Sequence, residues 1–221
     1  MSQVPSEKSK NSTNEARMKL PQFQGVRVQK GEAFLKETTP KFLDCEASRK
    51  ADRGDTSVTK IRLSGPLERD SIVNGYGLRA VLWTQGCLTH CKGCQNPETW
   101  DLDGGFEVEI DEIKNRLRAF KGQAGITFCG GEPFLQPRAC KEIADFCRNE
   151  LGWNVWSFSG YTYEKIKERG GDAWEFLKSL DALIDGPFIL EERDLSCKFR
   201  GSRNQRLLHL EPGTGKILKI E

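Results

Sequence analysis

The feature that most constrains the fold is an alternation, from Ile61 onward, of short apolar runs with longer amphipathic segments. The apolar runs have strand length and are rich in β-branched and aromatic residues: LRAVLWT (78–84), GITFCGG (125–131), WNVWSFSG (153–160) and DALIDGPF (181–188). Between them lie segments that repeat apolar residues at helical spacing, EIDEIKNRLRAF, QPRACKEIADFCRNEL and TYEKIKERGGDAWEFLKSL. Strands that are joined through helices pair in parallel, so the alternation predicts successive βα units.

The chain length limits how far such a sheet extends. Residues 61–221 provide about half to three quarters of the roughly 250 residues that an eight-stranded α/β barrel needs. We therefore expect an α/β fold, a partial (open) TIM-like (β/α) barrel, with its chemistry at the carboxyl ends of the strands. Residues 1–60 are polar, lack Trp and Tyr and show no sustained apolar period, which predicts a flexible N-terminal tail.

Charge and hydropathy exclude several classes of protein. The net charge of +2 gives no argument for nucleic acid or an anionic membrane as partner. The chain has no run of about 18 apolar residues, and its first residues lack the apolar core of a secretory signal. We therefore expect a cytoplasmic protein, whose cysteines are core residues, metal ligands or redox groups rather than disulfides.

Three of the eight cysteines, Cys87, Cys91 and Cys94, lie within the stretch GCLTHCKGC, at the spacing C-x3-C-x2-C. A loop with two glycines disfavours ordinary core thiols, and a redox pair of the CxxC type has no need of Cys87. Structural zinc takes four ligands, and here the fourth is supplied only by His90, which abuts Cys91, or by a distant cysteine. Three thiolates suit a 4Fe-4S cluster whose fourth iron is open to a small molecule.

The cysteine spacing, together with Gly-Gly-Glu-Pro (130–133) after a later strand, resembles the radical S-adenosylmethionine (SAM) superfamily. The resemblance implies that Cys87, Cys91 and Cys94 bind the cluster and that the open iron chelates S-adenosyl-L-methionine. It also implies that Gly130, Gly131, Glu132 and Pro133 hold the methionine end of SAM. Two glycines let a backbone approach a ligand closely, and a nearby carboxylate favours the ammonium charge.

Further segments narrow the resemblance. Gly75, Gly77 and Arg79 form the Gly-x-Gly-x-Arg pattern of glycyl-radical-enzyme activases. Four other segments are similar to the activases of the anaerobic ribonucleotide reductase: CQNPETW, SFSGYTYE, LIDGPF and above all FRGSRNQRL (199–207). This similarity implies reductive cleavage of SAM to a 5'-deoxyadenosyl radical, which then forms a glycyl radical on that partner. An electron donor such as flavodoxin or ferredoxin is implied as well. Gly93 stands where most superfamily members have an aromatic residue near the adenine, a departure that the reductase activases share.

Other polar residues are weaker candidates for the site. Ser157 and Ser159 end a strand at the level expected for the SAM ribose, with structural and functional roles equally open. Arg200, Ser202, Asn204 and Gln205 form a polar cluster that we interpret as binding SAM or the partner, the alternative being a solvated loop. Asp185 and Gly186 either line the mouth of the site or form a turn.

The remaining cysteines and His209 have structural interpretations. Cys129 precedes the glycine pair at a strand end and is expected to pack, and Cys140 and Cys147 share the apolar face of a helix. Cys45 lies in the tail, Cys197 has no assigned role, and His209 is expected within a strand.

Two alternatives to the activase remain. One is a radical SAM enzyme that acts on a small molecule, such as the short 7-carboxy-7-deazaguanine synthases, which also have truncated barrels. The other is a non-catalytic, zinc-stabilised binding module. The small size of the chain and the RGSRNQ segment favour the activase, since an activase needs an open face for a protein loop.

Overall fold

The structure is a computed structural model and describes residues 59–221. Within these residues the chain forms one nine-stranded sheet and four α-helices. The strands are β1 (Lys60–Leu63), β2 (Glu68–Ser71), β3 (Arg79–Thr84), β4 (Phe106–Glu109), β5 (Gly125–Gly130), β6 (Asn154–Phe158), β7 (Ala182–Asp185), β8 (Arg206–Glu211) and β9 (Lys216–Ile220). The helices are α1 (Ile110–Ala119), α2 (Pro137–Leu151), α3 (Tyr163–Arg169) and α4 (Gly171–Lys178). The predicted tail (1–60), which includes Cys45, lies outside the described residues except for Thr59 and Lys60, and Lys60 begins β1.

Four adjacent strands, β3, β5, β6 and β7, are parallel and form the centre of the sheet. They are the four strands that the apolar runs predict, and α1, α2, and the pair α3 and α4 lie in the connections between them. Their side chains are buried almost throughout, which explains why their sequences are continuous apolar runs rather than alternating ones. The predicted open α/β sheet is confirmed.

Antiparallel strands flank the parallel centre on both sides. β1 and β4 extend the sheet beyond β3, and β2 also pairs with β3; at the other side β8 pairs with β7 and β9 pairs with β8. These flanking strands were not among the predicted βα units. β2, β4 and β9 are short and largely exposed, so they lack the apolar pattern of a buried strand.

The main core lies between one face of the sheet and the helices. It includes Leu82 and Phe128 from the sheet and Ile113, Ile143 and Phe176 from the helices. Cys140 and Cys147 on α2 are fully buried in the same core, where the sequence predicts them. Trp156, Ala182, Ile184 and Leu207 form a second, smaller cluster. In β6 and β7 the neighbouring Val155 and Leu183 belong to the main core, as expected when alternate residues point to opposite faces.

Glycines end two of the helices. Gly152 caps the carboxyl end of α2 in the left-handed conformation, with φ of 68°. Gly170, with φ of 62°, separates α3 from α4.

Among residues 59–221, none of the helices has the length and apolar character that crossing a bilayer requires.

Candidate functional site

The candidate site lies at the carboxyl ends of the parallel strands, where successive loops are joined by backbone hydrogen bonds. The Glu132 N–H after β5 donates to the Gly86 carbonyl after β3 (2.7 Å). The Ser159 N–H after β6 donates to the Ile184 carbonyl in β7 (2.8 Å), and the Gly186 N–H donates back to the Tyr161 carbonyl (3.2 Å). The structure therefore brings together the loops that carry the predicted site residues.

The loop after β3, residues 85–100, carries the three clustered cysteines and is held by its own polar contacts; we call it the cysteine loop. The Gln85 side chain donates to the carbonyls of Glu98 (3.2 Å) and Asp101 (2.6 Å). The Gly86 N–H donates to the Thr99 carbonyl (2.9 Å), which closes the loop at its base. The turns inside it need left-handed residues, and Gly93 has φ of 76°.

Backbone groups hydrogen-bond to each of the three clustered sulfurs. Burial raises the pKa of Cys87, whereas hydrogen bonds from Thr89 and His90 lower it. Burial also raises the pKa of Cys91, against the effect of a backbone hydrogen bond from Phe188. The Asn96 N–H donates to Cys94 Sγ at 3.4 Å. Such donors stabilise thiolates, the form in which cysteine binds iron, so the donor set fits a cluster.

The arrangement of the three thiols differs from that of a site for a single metal ion. Within residues 59–221 no group of three or more His, Cys, Asp or Glu side chains is arranged to hold a single ion. Each of three cysteines on a 4Fe-4S cluster binds a different iron, so the sulfurs need not converge on one point. All three cysteines are free and half-buried, and the pKa of Cys91 responds to the charges of both Cys87 and Cys94.

The two glycines of Gly-Gly-Glu-Pro let the end of β5 approach the cysteine loop. A Cβ on Gly131 would lie 2.3 Å from the Gly86 carbonyl oxygen, and one on Gly130 would lie 2.6 Å from the Thr84 carbonyl oxygen. Gly130 also has φ of 97°, a conformation that other residues rarely adopt. The two glycines were expected to let the backbone approach a ligand closely. In the structure they also let it approach the backbone that precedes Cys87.

Glu132 lies inside the protein and joins two loops. Its Oε1 accepts hydrogen bonds from the Phe134 N–H (3.1 Å) and the Ser159 hydroxyl (3.0 Å), and its Oε2 accepts one from the Gly160 N–H (2.7 Å). The side chain has no exposed surface, and burial raises its pKa to about 7. Pro133 beside it is buried and begins a short 3-10 turn. The carboxylate therefore connects the loop after β5 to the loop after β6.

The two candidate serines also have partners within the protein. Ser157 is fully buried, and its hydroxyl donates to the Phe158 carbonyl (3.0 Å). Ser159 donates to Glu132 and accepts a hydrogen bond from the Tyr161 N–H (2.9 Å). The structure thus places both serines at the end of β6, as predicted, with their hydroxyls directed to the protein.

Asp185 and the RGSRNQ segment lie on the β7 side of the site. Asp185 is buried, accepts a hydrogen bond from the Tyr163 N–H (2.7 Å) and forms an ion pair with Arg206. Arg200 donates to the carbonyls of Glu221 (2.7 Å) and Gln205 (3.3 Å), while its buried Nε has no partner within the described chain. The other polar residues of the cluster, Ser202, Asn204 and Gln205, contact residues 186–189.

The Gly-x-Gly-x-Arg pattern forms a packed unit around Arg79. Arg79 is fully buried; its guanidinium donates to Thr127 Oγ1 (2.6 Å) and to Asn154 Oδ1 (2.6 Å) and lies 5.0 Å from the ring centre of Trp156. Burial lowers its pKa to about 10. A Cβ on Gly75 would lie 2.8 Å from both Arg79 Cδ and Trp156 Cε3, so the pattern reflects close packing.

The sequence interpretation missed the contact that residues 186–192 make with the cysteine loop. Besides the hydrogen bond from Phe188 to Cys91, Leu190 covers Gly93, and Lys92 Nζ lies 3.3 Å from Glu191 Oε1. The DGPF stretch gave a partial signal, since it follows a strand. Cys129 and His209 lie where the sequence predicts them: Cys129 is half-buried in β5 and accepts a hydrogen bond from Asn74, and His209 lies in β8.

Comparisons with known proteins indicate the family of this chain. A family model described as a 4Fe-4S single cluster domain matches residues 73–208. The anaerobic ribonucleoside-triphosphate reductase-activating protein of Enterobacteria phage T4 is 35% identical over 156 residues, which are 65% of this chain and 92% of that protein. Its counterpart in Haemophilus influenzae is 34% identical over 142 residues, 61% of this chain and 89% of that protein.

An activating enzyme of another kind and one solved structure also match. The pyruvate formate-lyase-activating enzyme of Clostridium pasteurianum is 33% identical over 123 residues, 53% of this chain and 49% of that enzyme. The crystal structure of QueE from Escherichia coli matches with a TM-score of 0.39 and 14% identity, over 47% of this chain and 53% of that one.

Proposed function

This chain belongs to the 4Fe-4S single cluster domain family, among the radical SAM activating enzymes, and from that membership we propose that it activates an anaerobic ribonucleoside-triphosphate reductase. One observation carries the proposal. Three free cysteines on one loop, each with a backbone hydrogen bond to its sulfur, lie at the carboxyl ends of parallel strands in a chain that covers 92% of a named reductase activator. The partner is a glycyl radical enzyme, in which one glycine Cα loses a hydrogen atom.

We assign the cluster to Cys87, Cys91 and Cys94, with SAM at the fourth iron. When bound, the cluster would supply one electron for the cleavage of SAM to methionine and a 5'-deoxyadenosyl radical, which would take the glycine hydrogen. The residues of the chain contribute by position. Backbone hydrogen bonds from Thr89, His90, Phe188 and Asn96 stabilise the thiolates.

The SAM contacts follow from the loops beside the cysteines. Residues 130–133 border the cysteine loop, which supports the proposal that their backbone holds the methionine end of SAM. Ser157, Ser159 and Arg200 remain proposed SAM residues. Because both serine hydroxyls have partners in the protein, we propose that they act by fixing the loop after β6 rather than as free hydroxyls.

The test is anaerobic reconstitution with iron and sulfide, followed by dithionite reduction and an assay for 5'-deoxyadenosine from added SAM. The expected result is four irons per chain, formation of deoxyadenosine, and a glycyl radical in electron paramagnetic resonance when the reductase is added. A protein that holds one zinc and leaves SAM intact would refute the proposal. If deoxyadenosine forms but no radical appears on the reductase, the partner assignment alone is wrong.

The electron donor is part of the proposal as well. We propose a flavodoxin or a ferredoxin, because the reaction consumes one electron at a time. Replacing dithionite with each reduced donor in the same assay distinguishes them by the initial rate of deoxyadenosine formation. A rate no higher than without donor, for both proteins, would contradict this choice.

A further inference from the structure

We propose that residues 200–205, the RGSRNQ motif, are a clamp that fixes residues 186–192 on the cysteine loop and thereby sets the hydrogen bond from Phe188 to Cys91. Ser202, Asn204 and Gln205 are the positioning residues of this clamp. The inference rests on the proposed assignment of the cluster to the three cysteines. It gives Ser202, Asn204 and Gln205 a role in the cluster environment, in place of direct binding to SAM or the partner, and leaves the SAM contact proposed for Arg200 unchanged.

Residues 186–192 contact the cysteine loop at three points. The backbone of Phe188 hydrogen-bonds to the Cys91 sulfur. Leu190 covers Gly93 so closely that a Cβ there would lie 3.0 Å from Leu190 Cδ1. Lys92 and Glu191 form an exposed ion pair at 3.3 Å, which contributes little by itself. The contact is therefore carried by one polar and one apolar interaction beside the cysteines.

The clamp reaches the same segment through side chains. The Gln205 amide donates to the Gly186 carbonyl (3.0 Å), and the Asn204 amide donates to the Pro187 carbonyl (2.8 Å). The Ser202 hydroxyl accepts a hydrogen bond from the Ile189 N–H (3.2 Å), and Ser202 has no exposed surface. Phe188 thus lies between residues whose backbone groups are held on both sides.

The clamp is itself tightly built. Gln205 Oε1 accepts hydrogen bonds from the N–H groups of Gly201 (2.9 Å) and Ser202 (3.3 Å), which closes the motif on itself. The Arg203 N–H donates to the Glu192 carbonyl (2.9 Å), so the far end of the segment is fixed as well. A motif whose side chains are directed to its own backbone and to one neighbouring segment has a positioning role.

The hydrogen bond from Phe188 differs from the others at the site. The donors to Cys87 and Cys94 in the described chain come from within the cysteine loop, whereas Phe188 comes from a segment about a hundred residues away. Hydrogen bonds to cluster sulfurs help to set the reduction potential, because an N–H dipole stabilises the more negative, reduced state. Loosening the clamp should therefore make the cluster harder to reduce.

The experiment compares Ser202→Ala and Asn204→Ala with Ser196→Ala in the full-length chain. Ser196 is a matched control, because it lies in the same region but is exposed, and its hydrogen bonds within residues 59–221 go to Asp194. The first readout is hydrogen exchange of residues 186–192 in the iron-free protein. The second is the midpoint potential of the reconstituted cluster without SAM, from a redox titration followed by electron paramagnetic resonance.

We expect both clamp variants to speed exchange in residues 186–192, to keep four irons and to shift the potential to more negative values, while Ser196→Ala changes neither. Unchanged exchange would overturn the clamp, and faster exchange with an unchanged potential would overturn its link to Cys91. Because two positions are tested, misfolding of one variant leaves the other decisive. If the wild-type chain binds no cluster, both the proposed function and the link between the clamp and the cluster are wrong. If the wild-type chain binds a normal cluster and the clamp variants behave like the wild type, only the clamp proposal is wrong.

Discussion

The role of an individual residue at this site depends on its hydrogen bonds as much as on its chemical type. Glu132 is the clearest case, because its carboxylate accepts three hydrogen bonds from two loops and none of its surface is exposed. Such a group acts on a ligand through the backbone that it holds. Cys87, by contrast, is a proposed cluster ligand that would act directly through its sulfur.

Replacing Cys87 by Ala should abolish cluster assembly and SAM cleavage together, because a cluster with two thiolate ligands lacks a third corner. Iron and sulfide content and deoxyadenosine formation measure the two losses. Cys197→Ala is the matched control, since Cys197 is a free, half-buried cysteine outside the cysteine loop. Full SAM cleavage by the Cys87 variant would show that the three-ligand assignment is wrong.

Changing Glu132 to Ala should spare the cluster and weaken SAM binding by about tenfold or more, since a displaced loop loses about 1–3 kcal/mol of fixed contacts. Iron content and the dissociation constant of SAM separate the two effects. Equal loss of iron and of SAM affinity would mean that Glu132 supports the cysteine loop rather than the SAM side.

Burial of Glu132 also predicts a pH dependence of stability. Its pKa rises from 4.5 to about 7, so the folded state holds the proton more tightly than the unfolded state. The free energy of unfolding should therefore fall as pH rises from about 4.5 to about 7, by roughly 3 kcal/mol from this group, and change no further above that. Urea titrations of the wild type and Glu132→Gln test this, because the difference between them should carry the slope. A parallel pH dependence in both proteins would contradict it.

The elements of the fold show where sequence patterns are informative. The four parallel strands and their helices are predictable because burial on both faces demands continuous apolar runs and burial on one face demands helical spacing. β2, with the sequence ERDS, has no such pattern because its residues are mostly exposed and its pairing depends on β3. The cysteine loop and Gly-Gly-Glu-Pro were predictable from residue type. The contact of Leu190 with Gly93 was not, since it joins residues far apart in the chain.

The close contact between the end of β5 and the cysteine loop predicts the effect of adding one methyl group at Gly131. Gly131→Ala should displace the Gly86 carbonyl and lower the iron content severalfold, because its Cβ would lie 2.3 Å from that oxygen. Gly65→Ala is the control, since its Cβ would meet its nearest neighbour, Trp83 Cβ, at 4.0 Å, an ordinary contact. Normal iron content in Gly131→Ala would show that this loop yields without affecting the cysteines.

At the scale of the whole molecule, cofactor loading and folding should be linked. A cluster that binds the folded chain more tightly than the unfolded chain adds to stability, because the fold fixes the positions of three thiolates that are close in sequence. Reconstitution should therefore raise Tm by several degrees relative to the iron-free protein, and Cys91→Ala should remove that increase. Differential scanning calorimetry under anaerobic conditions measures it. Equal Tm values with and without iron would indicate a cluster held independently of the fold.

Trp100 stacks on the His90 ring, with ring centres 4.8 Å apart, and can therefore serve as an intrinsic fluorescent probe of the cysteine loop. Both rings belong to the cysteine loop, so Trp100 is the tryptophan within the segment that carries all three proposed ligands. Iron-sulfur clusters absorb broadly across the range in which indole emits, and energy transfer to them falls steeply with distance. Assembly of the cluster should therefore dim Trp100 more than the four other tryptophans, which lets loading be followed by fluorescence alone.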